Sequence, residues 1–171
     1  MDLKSFTAVL VALLIIFSFL YNALQNLFAY SLGNIYLAIL LGSLFFVDFN
    51  WLIIGYAFFL GWLSGLDSGL EFLHALFFSG LCFAFFKSSS LFEFRDVTNR
   101  YLWWLIGIGS YLIFRLLIYF YQLQLDTDFS ISFVYLIWNS FLYGMLTYVY
   151  TLIIYKICRK AFSYRRITLF K

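Results

Sequence analysis

From Ser5 to Val47 the chain runs without a single charged residue. An α-helix rises 1.5 Å per residue and the apolar core of a bilayer is about 30 Å thick, so one crossing takes roughly 20 residues. This stretch is therefore long enough for two helices, joined at a polar cluster between Asn22 and Asn34. Only 11% of the whole chain is charged, against about 25% in a typical soluble domain. The sequence excludes an ordinary soluble domain and predicts a membrane protein.

The same measure predicts an all-α polytopic membrane protein with six transmembrane helices. The predicted spans lie near Ser5–Leu24, Tyr30–Val47, Trp51–Leu66, Leu70–Phe86, Tyr101–Gln122 and Phe133–Tyr155. The third and fourth are short and are joined by a tight Asp67-Ser68-Gly69 turn, so they either cross with little tilt or in thin bilayer, or form a re-entrant pair. Runs of this length are too long for barrel strands of about ten alternating residues.

The distribution of basic residues gives an orientation for these spans, because cytoplasmic loops collect Lys and Arg. Six spans with both termini in the cytoplasm place every Lys and Arg except Arg115 on the cytoplasmic side. We therefore predict a six-helix transmembrane domain at residues 1–155 and a basic cytoplasmic tail at 156–171. The tail is expected either to lie on the anionic inner leaflet or to contact a cytoplasmic protein, and is too short to predict nucleic-acid binding.

Enzymatic function is not predicted. The longest polar stretch, Lys87 to Arg100, is too short for a separate catalytic domain. Glu71 and His74 are three residues apart and share a helix face, but a metal site needs three or four ligands and the chain has one histidine. We interpret the pair as a polar helix contact, with metal binding or acid and base chemistry as the alternative. No catalytic residue, metal or cofactor is predicted.

Small residues mark two helix faces as packing candidates. Gly61, Gly65 and Gly69 repeat every four residues and leave a smooth groove on a helix. This groove is expected either to pack against another helix of the same chain or to bind a partner protein. Ala8 and Ala12 form a second small-residue pair on the first span.

Arg115 is the only charged residue inside the fifth predicted span, and a guanidinium within a bilayer is costly. Three interpretations stay open: an ion pair with Asp67 or Glu71, a side chain that reaches up to the interface, or a site for a ligand or partner. Asn139, in the last span, is a further intramembrane polar candidate.

Several short sequence features occur together in this order along the chain. Leu24-Gln25 closes the first span, Gly55, Gly61 and Gly65 lie in the third, and Leu73-His74-Ala75-Leu76 opens the fourth. Trp138-Asn139 lies in a last span that ends in a basic cluster. In this layout and length the chain resembles the rod shape-determining protein MreD family of small bacterial inner-membrane proteins.

The resemblance implies a non-enzymatic scaffold subunit of the bacterial cell-elongation complex, located in the cytoplasmic membrane. Such a subunit binds the bitopic membrane protein MreC. Through it the scaffold is linked to MreB filaments, the RodA glycosyltransferase and a class B penicillin-binding transpeptidase, which build lateral peptidoglycan.

The alternative is a substrate-binding subunit of an energy-coupling-factor vitamin transporter, which MreD-like proteins resemble in architecture. Ala8-x-x-x-Ala12 is similar to the small-residue docking motif on the first helix of such subunits. A transporter subunit also needs a polar ligand pocket near the outer face, for which Arg115, Glu71, His74 and Asn139 are the candidates.

Overall fold

The structure, a computed structural model, describes residues 33–47, 49–89, 97–125 and 133–162, together with positions 8, 11, 12, 15, 16 and 19. In these ranges the regular elements are all helical and no strand occurs. The α-helices of the four continuous ranges are α1 (Ile35–Ser43), α2 (Trp51–Gly65), α3 (Glu71–Ser88), α4 (Val97–Leu125) and α5 (Phe133–Phe162). Short 3-10 turns at Leu44–Phe46 and Leu66–Ser68 follow α1 and α2.

Three of these helices contain segments that are long and apolar enough to cross a membrane, namely Glu71–Ser88, Thr98–Tyr121 and Leu136–Lys160. The helices Ile35–Phe46 and Trp51–Gly65 are also apolar but shorter. The prediction of a helical membrane protein is thus confirmed. The first predicted span lies mostly outside the described residues, and the count of six crossings stays a prediction.

The two long C-terminal helices extend beyond their predicted bounds. Helix α4 has 29 residues and begins at Val97, before the predicted start at Tyr101. Helix α5 has 30 residues and continues to Phe162, through the predicted domain boundary after Tyr155. The difference arises because backbone hydrogen bonding continues where the apolar run has ended, so a basic segment can prolong a helix into the interface.

Helix α1 is the central element. Asn34 begins it, because its side-chain oxygen accepts a hydrogen bond from the Leu37 backbone N–H at 2.9 Å. Apart from Tyr36, every residue of this helix is buried. A helix that is apolar on all sides belongs in the core, and α1 contacts α2, α4 and α5.

Glycines let other helices approach closely. At Gly42 of α1, an added Cβ would lie 2.9 Å from the Ile154 side chain of α5. At Gly144 of α5, it would lie 2.9 Å from the Leu112 side chain of α4. Helices in a bilayer associate largely through such close packing, so these contacts hold the bundle together.

One end of the bundle, which we call the basic end, holds the described Lys and Arg side chains other than Arg115: Lys87, Arg100, Lys156, Arg159 and Lys160. Aromatic rings join the helix ends there. The Phe45 ring lies 5.1 Å from that of Phe85 and 6.3 Å from that of Tyr155, between ring centroids. The ends of α1, α3 and α5 therefore meet at one level.

Candidate functional site

Toward the opposite end of the bundle, four buried or half-buried polar side chains from different elements meet within the apolar interior. The Asn34 amide donates to the Ser64 hydroxyl at 2.7 Å, and that hydroxyl lies 3.3 Å from the Tyr111 hydroxyl. The Asn34 backbone N–H donates to the Thr147 hydroxyl at 2.8 Å. We call Asn34, Ser64, Tyr111 and Thr147 the polar network. It links the start of α1 to α2, α4 and α5.

The network is largely closed on itself. Asn34, only 3% exposed, uses its side-chain oxygen to cap α1 and its amide to bond Ser64. Thr147, 1% exposed, accepts from Asn34 and donates to the Tyr143 carbonyl at 2.8 Å. A buried polar group without a partner costs about 1–3 kcal/mol, so these pairings make each member depend on the others. The arrangement fastens four helices together.

The chemistry of the network is that of hydrogen bonding between neutral groups. The Ser64 hydroxyl contacts an amide and a phenol, and neither is a general base at neutral pH. His74 is buried, and its Nδ1 lies 3.1 Å from the Leu70 carbonyl on its own helix. Its ring packs edge-on against the rings of Phe114, at 5.2 Å between centroids, and of Tyr111, at 6.1 Å, and among the described residues no hydrogen bond joins it to Ser64. Within the described ranges, no three His, Cys, Asp or Glu side chains are placed to hold a metal ion.

Arg115 lies one helical turn from Tyr111 on α4, and its guanidinium carbon lies 3.9 Å from the centroid of the Tyr143 ring. The Tyr143 ring in turn stacks on that of Tyr111, with centroids 6.4 Å apart. This is a cation–π contact, which is worth up to about 2 kcal/mol when desolvated. The guanidinium Nη1 is buried and makes no hydrogen bond to the described residues.

The predicted ion-pair partners of Arg115 are Glu71 and Asp67. Glu71 is half-buried in the first turn of α3, and among the described side chains no ion pair joins it to Arg115. The Asp67 side chain lies outside the described residues. Asn139 is half-buried on α5, four residues before Tyr143 and on the same helix face. Helix α4 continues ten residues beyond Arg115 to Leu125, three residues past the predicted end of the fifth span.

The glycine groove is occupied within the chain. A Cβ added at Gly61 would lie 2.6 Å from the Ala75 Cα, and one at Gly65 would lie 2.5 Å from the Glu71 Cα. Both glycines therefore face the backbone of α3. Gly69 has a different role, because its φ of +66° places it in the left-handed region, where it turns the chain from α2 into α3.

Ala8 and Ala12 are helical and exposed, one turn apart. Their position leaves this small-residue face open at both alanines.

Sequence reasoning missed most of the polar network. The predicted second span begins at Tyr30 and so includes Asn34, which caps the start of α1 instead, although an Asn directly before a long apolar run is a helix N-cap signal. Tyr111 carries no usable signal because it is one of 14 tyrosines, and the position of Thr147 within an apolar run does not indicate which helix it faces. Comparison of the chain with protein-family models, curated proteins and solved structures finds no match.

Proposed function

We propose that this protein is a non-enzymatic membrane scaffold of the bacterial cell-elongation complex, with both termini in the cytoplasm. Its partner is an MreC-like bitopic membrane protein. Through that partner it is connected to MreB, RodA and a class B penicillin-binding transpeptidase, and so to lateral peptidoglycan synthesis.

The observation that carries the proposal is the closure of the polar network. In a substrate-binding membrane protein, polar side chains face a space that the substrate fills. Here Asn34 bonds Thr147 and Ser64, Ser64 also contacts the Tyr111 hydroxyl, and Thr147 donates to the backbone. Polar groups used in this way favour a rigid helical body that presents its outer faces to other membrane proteins.

The orientation of the scaffold follows from the basic end. Lys87, Arg100 and Arg159 lie there, and Lys and Arg collect on the cytoplasmic side of a membrane protein. We therefore assign the basic end to the cytoplasm and the polar network to the outer half of the bilayer. A reporter that fluoresces only in the cytoplasm, fused after Lys171, is expected to be bright, and a dark fusion contradicts this orientation.

Controlled depletion of the protein in its own host tests the function. Loss of a scaffold of the elongation complex is expected to turn rod-shaped cells round while septation continues. Restoring the wild-type gene is expected to restore the rods. Depleted cells that keep their width and length contradict the proposal.

The transporter alternative rests on the exposed Ala8 and Ala12 face, which suits a docking surface for a second membrane subunit. A vitamin auxotroph distinguishes it from the scaffold. If depletion stops growth on limiting vitamin and leaves cell shape intact, the protein is the transporter subunit.

A further inference from the structure

At the basic end, an arginine of α4 is held on a tyrosine of α5. The Arg100 guanidinium donates a hydrogen bond to the Tyr155 hydroxyl, and its central carbon lies 5.4 Å from the centroid of the Tyr155 ring. The ring itself is fixed by the core, since its centroid lies 5.1 Å from that of the buried Trp104. The charge of Arg100 is thus positioned rather than free to move.

A second arginine lies close by on the same helix face as Tyr155. Arg159 follows Tyr155 by four residues, which places the two side chains one turn apart. Arg159 and its neighbour Lys156 are both exposed. The described side chains include one carboxylate, that of Glu71, and it lies at the start of α3, away from the basic end.

The depth of the two arginines fits the phosphates of a lipid leaflet. Measured along each helix from the centre of its membrane segment, Arg100 lies about 14 Å and Arg159 about 16 Å away. The apolar half of a bilayer is about 15 Å thick, so both charges lie at its boundary. Lipid phosphates begin at this level.

We propose that Arg100 and Arg159 bind the phosphodiester of an anionic phospholipid at the junction of α4 and α5. The Tyr155 ring holds Arg100 in place, and the lipid neutralises charges contributed by two helices. The bound lipid therefore adds a link between the ends of α4 and α5 to the contacts that Tyr155 makes there with Arg100 and Trp104. Guanidinium groups suit this ligand, because their paired N–H groups match phosphate oxygens.

Native mass spectrometry of the full-length protein tests this site. The protein is purified in mild detergent and supplemented with phosphatidylglycerol or with phosphatidylcholine. Wild type is expected to retain phosphatidylglycerol with about a tenfold preference, given the attraction of each basic side chain for anionic lipid. Equal retention of the two lipids overturns the proposal.

Variants separate the site from general surface charge. Arg100→Gln with Arg159→Gln is expected to remove most of the preference, whereas Lys87→Gln with Lys160→Gln removes two other charges of the basic end and is expected to preserve it. Equal losses in both double variants overturn the proposal. If the first double variant does not fold, Arg159→Gln alone, an exposed substitution, is expected to lower the preference several-fold, and an unchanged preference contradicts the site.

A last arm identifies the source of the phosphate. Inorganic phosphate at the same concentration is expected not to displace the retained phosphatidylglycerol, because the acyl chains add binding along the apolar surfaces of α4 and α5. Displacement by inorganic phosphate shows a site for a soluble anion and overturns the lipid assignment.

Discussion

Helices α4 and α5 are joined by two arginine–tyrosine contacts of the same chemistry, one toward each end. Arg115 lies 3.9 Å from the ring centroid of Tyr143, and Arg100 lies 5.4 Å from that of Tyr155. The Arg115 Nη1 is buried and without a hydrogen bond to the described residues, whereas Arg100 bonds the Tyr155 hydroxyl.

Depth explains the difference between the two pairs. Arg115 lies about 8 Å from the centre of its membrane segment and Arg100 about 14 Å, measured along α4. At the membrane boundary an arginine is solvated by water and lipid phosphates. Its contact with an aromatic ring therefore adds only a small further stabilisation. Inside the bilayer, the contact with the Tyr143 ring offsets part of the cost of burying the Arg115 charge. Contacts around Arg115 should therefore contribute more to the free energy of folding than contacts around Arg100.

The largest effect is expected at Gly61, where the backbone of α2 contacts the backbone of α3. Gly61→Leu has no room, because even a Cβ would lie 2.6 Å from the Ala75 Cα. The α2–α3 hairpin should separate and the protein should no longer accumulate in membranes. Gly55→Leu on the same helix is the control, since nothing lies within 4 Å of an added Cβ there. Quantitative immunoblotting of membranes checks both variants, and normal levels of Gly61→Leu contradict the observed packing.

The next effect concerns two asparagines that cap helices in different surroundings. Asn34→Ala removes a cap and leaves the buried Leu37 N–H and Ser64 hydroxyl without that partner, at an expected cost of roughly 2–3 kcal/mol. Asn50→Ala removes an exposed cap of α2 and should cost about 1 kcal/mol or less. The free energy of unfolding, from denaturing-detergent titration, gives both values. Equal costs would show that the polar network adds nothing to the cap.

A third test removes the aromatic ring that contacts Arg115. Tyr143→Leu leaves the Arg115 charge without its aromatic face and should lower the free energy of unfolding by about 2 kcal/mol. Tyr143→Phe keeps the ring and should retain most of the stability. Detergent titration again provides the measurement, and similar losses in the two variants would mean that the ring face does not compensate the charge.

The smallest effect is expected when the aromatic ring that contacts Arg100 is removed. Tyr155→Leu should cost less than Tyr143→Leu, because Arg100 stays at the boundary and is solvated there. Comparing the two variants in the same titration tests whether the deeper contact contributes more, although the Tyr155 ring also packs against the rings of Phe45 and Trp104. A larger cost at Tyr155 would reverse the comparison between the two ends.

The sequence predicts α2 and α3 well but not the bounds of α1, since the predicted span Tyr30–Val47 includes the non-helical Gly33 and Asn34 and the α-helix ends at Ser43. Charge-free runs and the roughly 20-residue crossing length locate α2 and α3 to within two residues of their observed ends. The runs do not locate the ends of α4 and α5, since hydropathy marks where apolar residues stop and not where helical hydrogen bonding stops. The short turn at Gly69 also explains why Gly61 and Gly65 face α3, their nearest neighbour in the chain.

The site was harder to predict than the helices. Arg115 is visible in the sequence because a lone charge in an apolar run is rare. Its partner Tyr143 is one of 14 tyrosines, and which of them meets Arg115 depends on the rotation of two helices against each other. Composition and spacing contain no such information, so the sequence leaves an ion pair, a side chain that reaches the interface and a ligand or partner site open, and it does not indicate the Tyr143 ring.

The scaffold proposal is tested most directly by purifying the tagged protein from native membranes in mild detergent. Every protein and small molecule that stays bound is then identified. We expect an MreC-like bitopic protein, with RodA or the transpeptidase, and no tightly bound vitamin. A pair of ATPases together with one vitamin molecule per protein would contradict the scaffold and make the surroundings of Arg115 a ligand site.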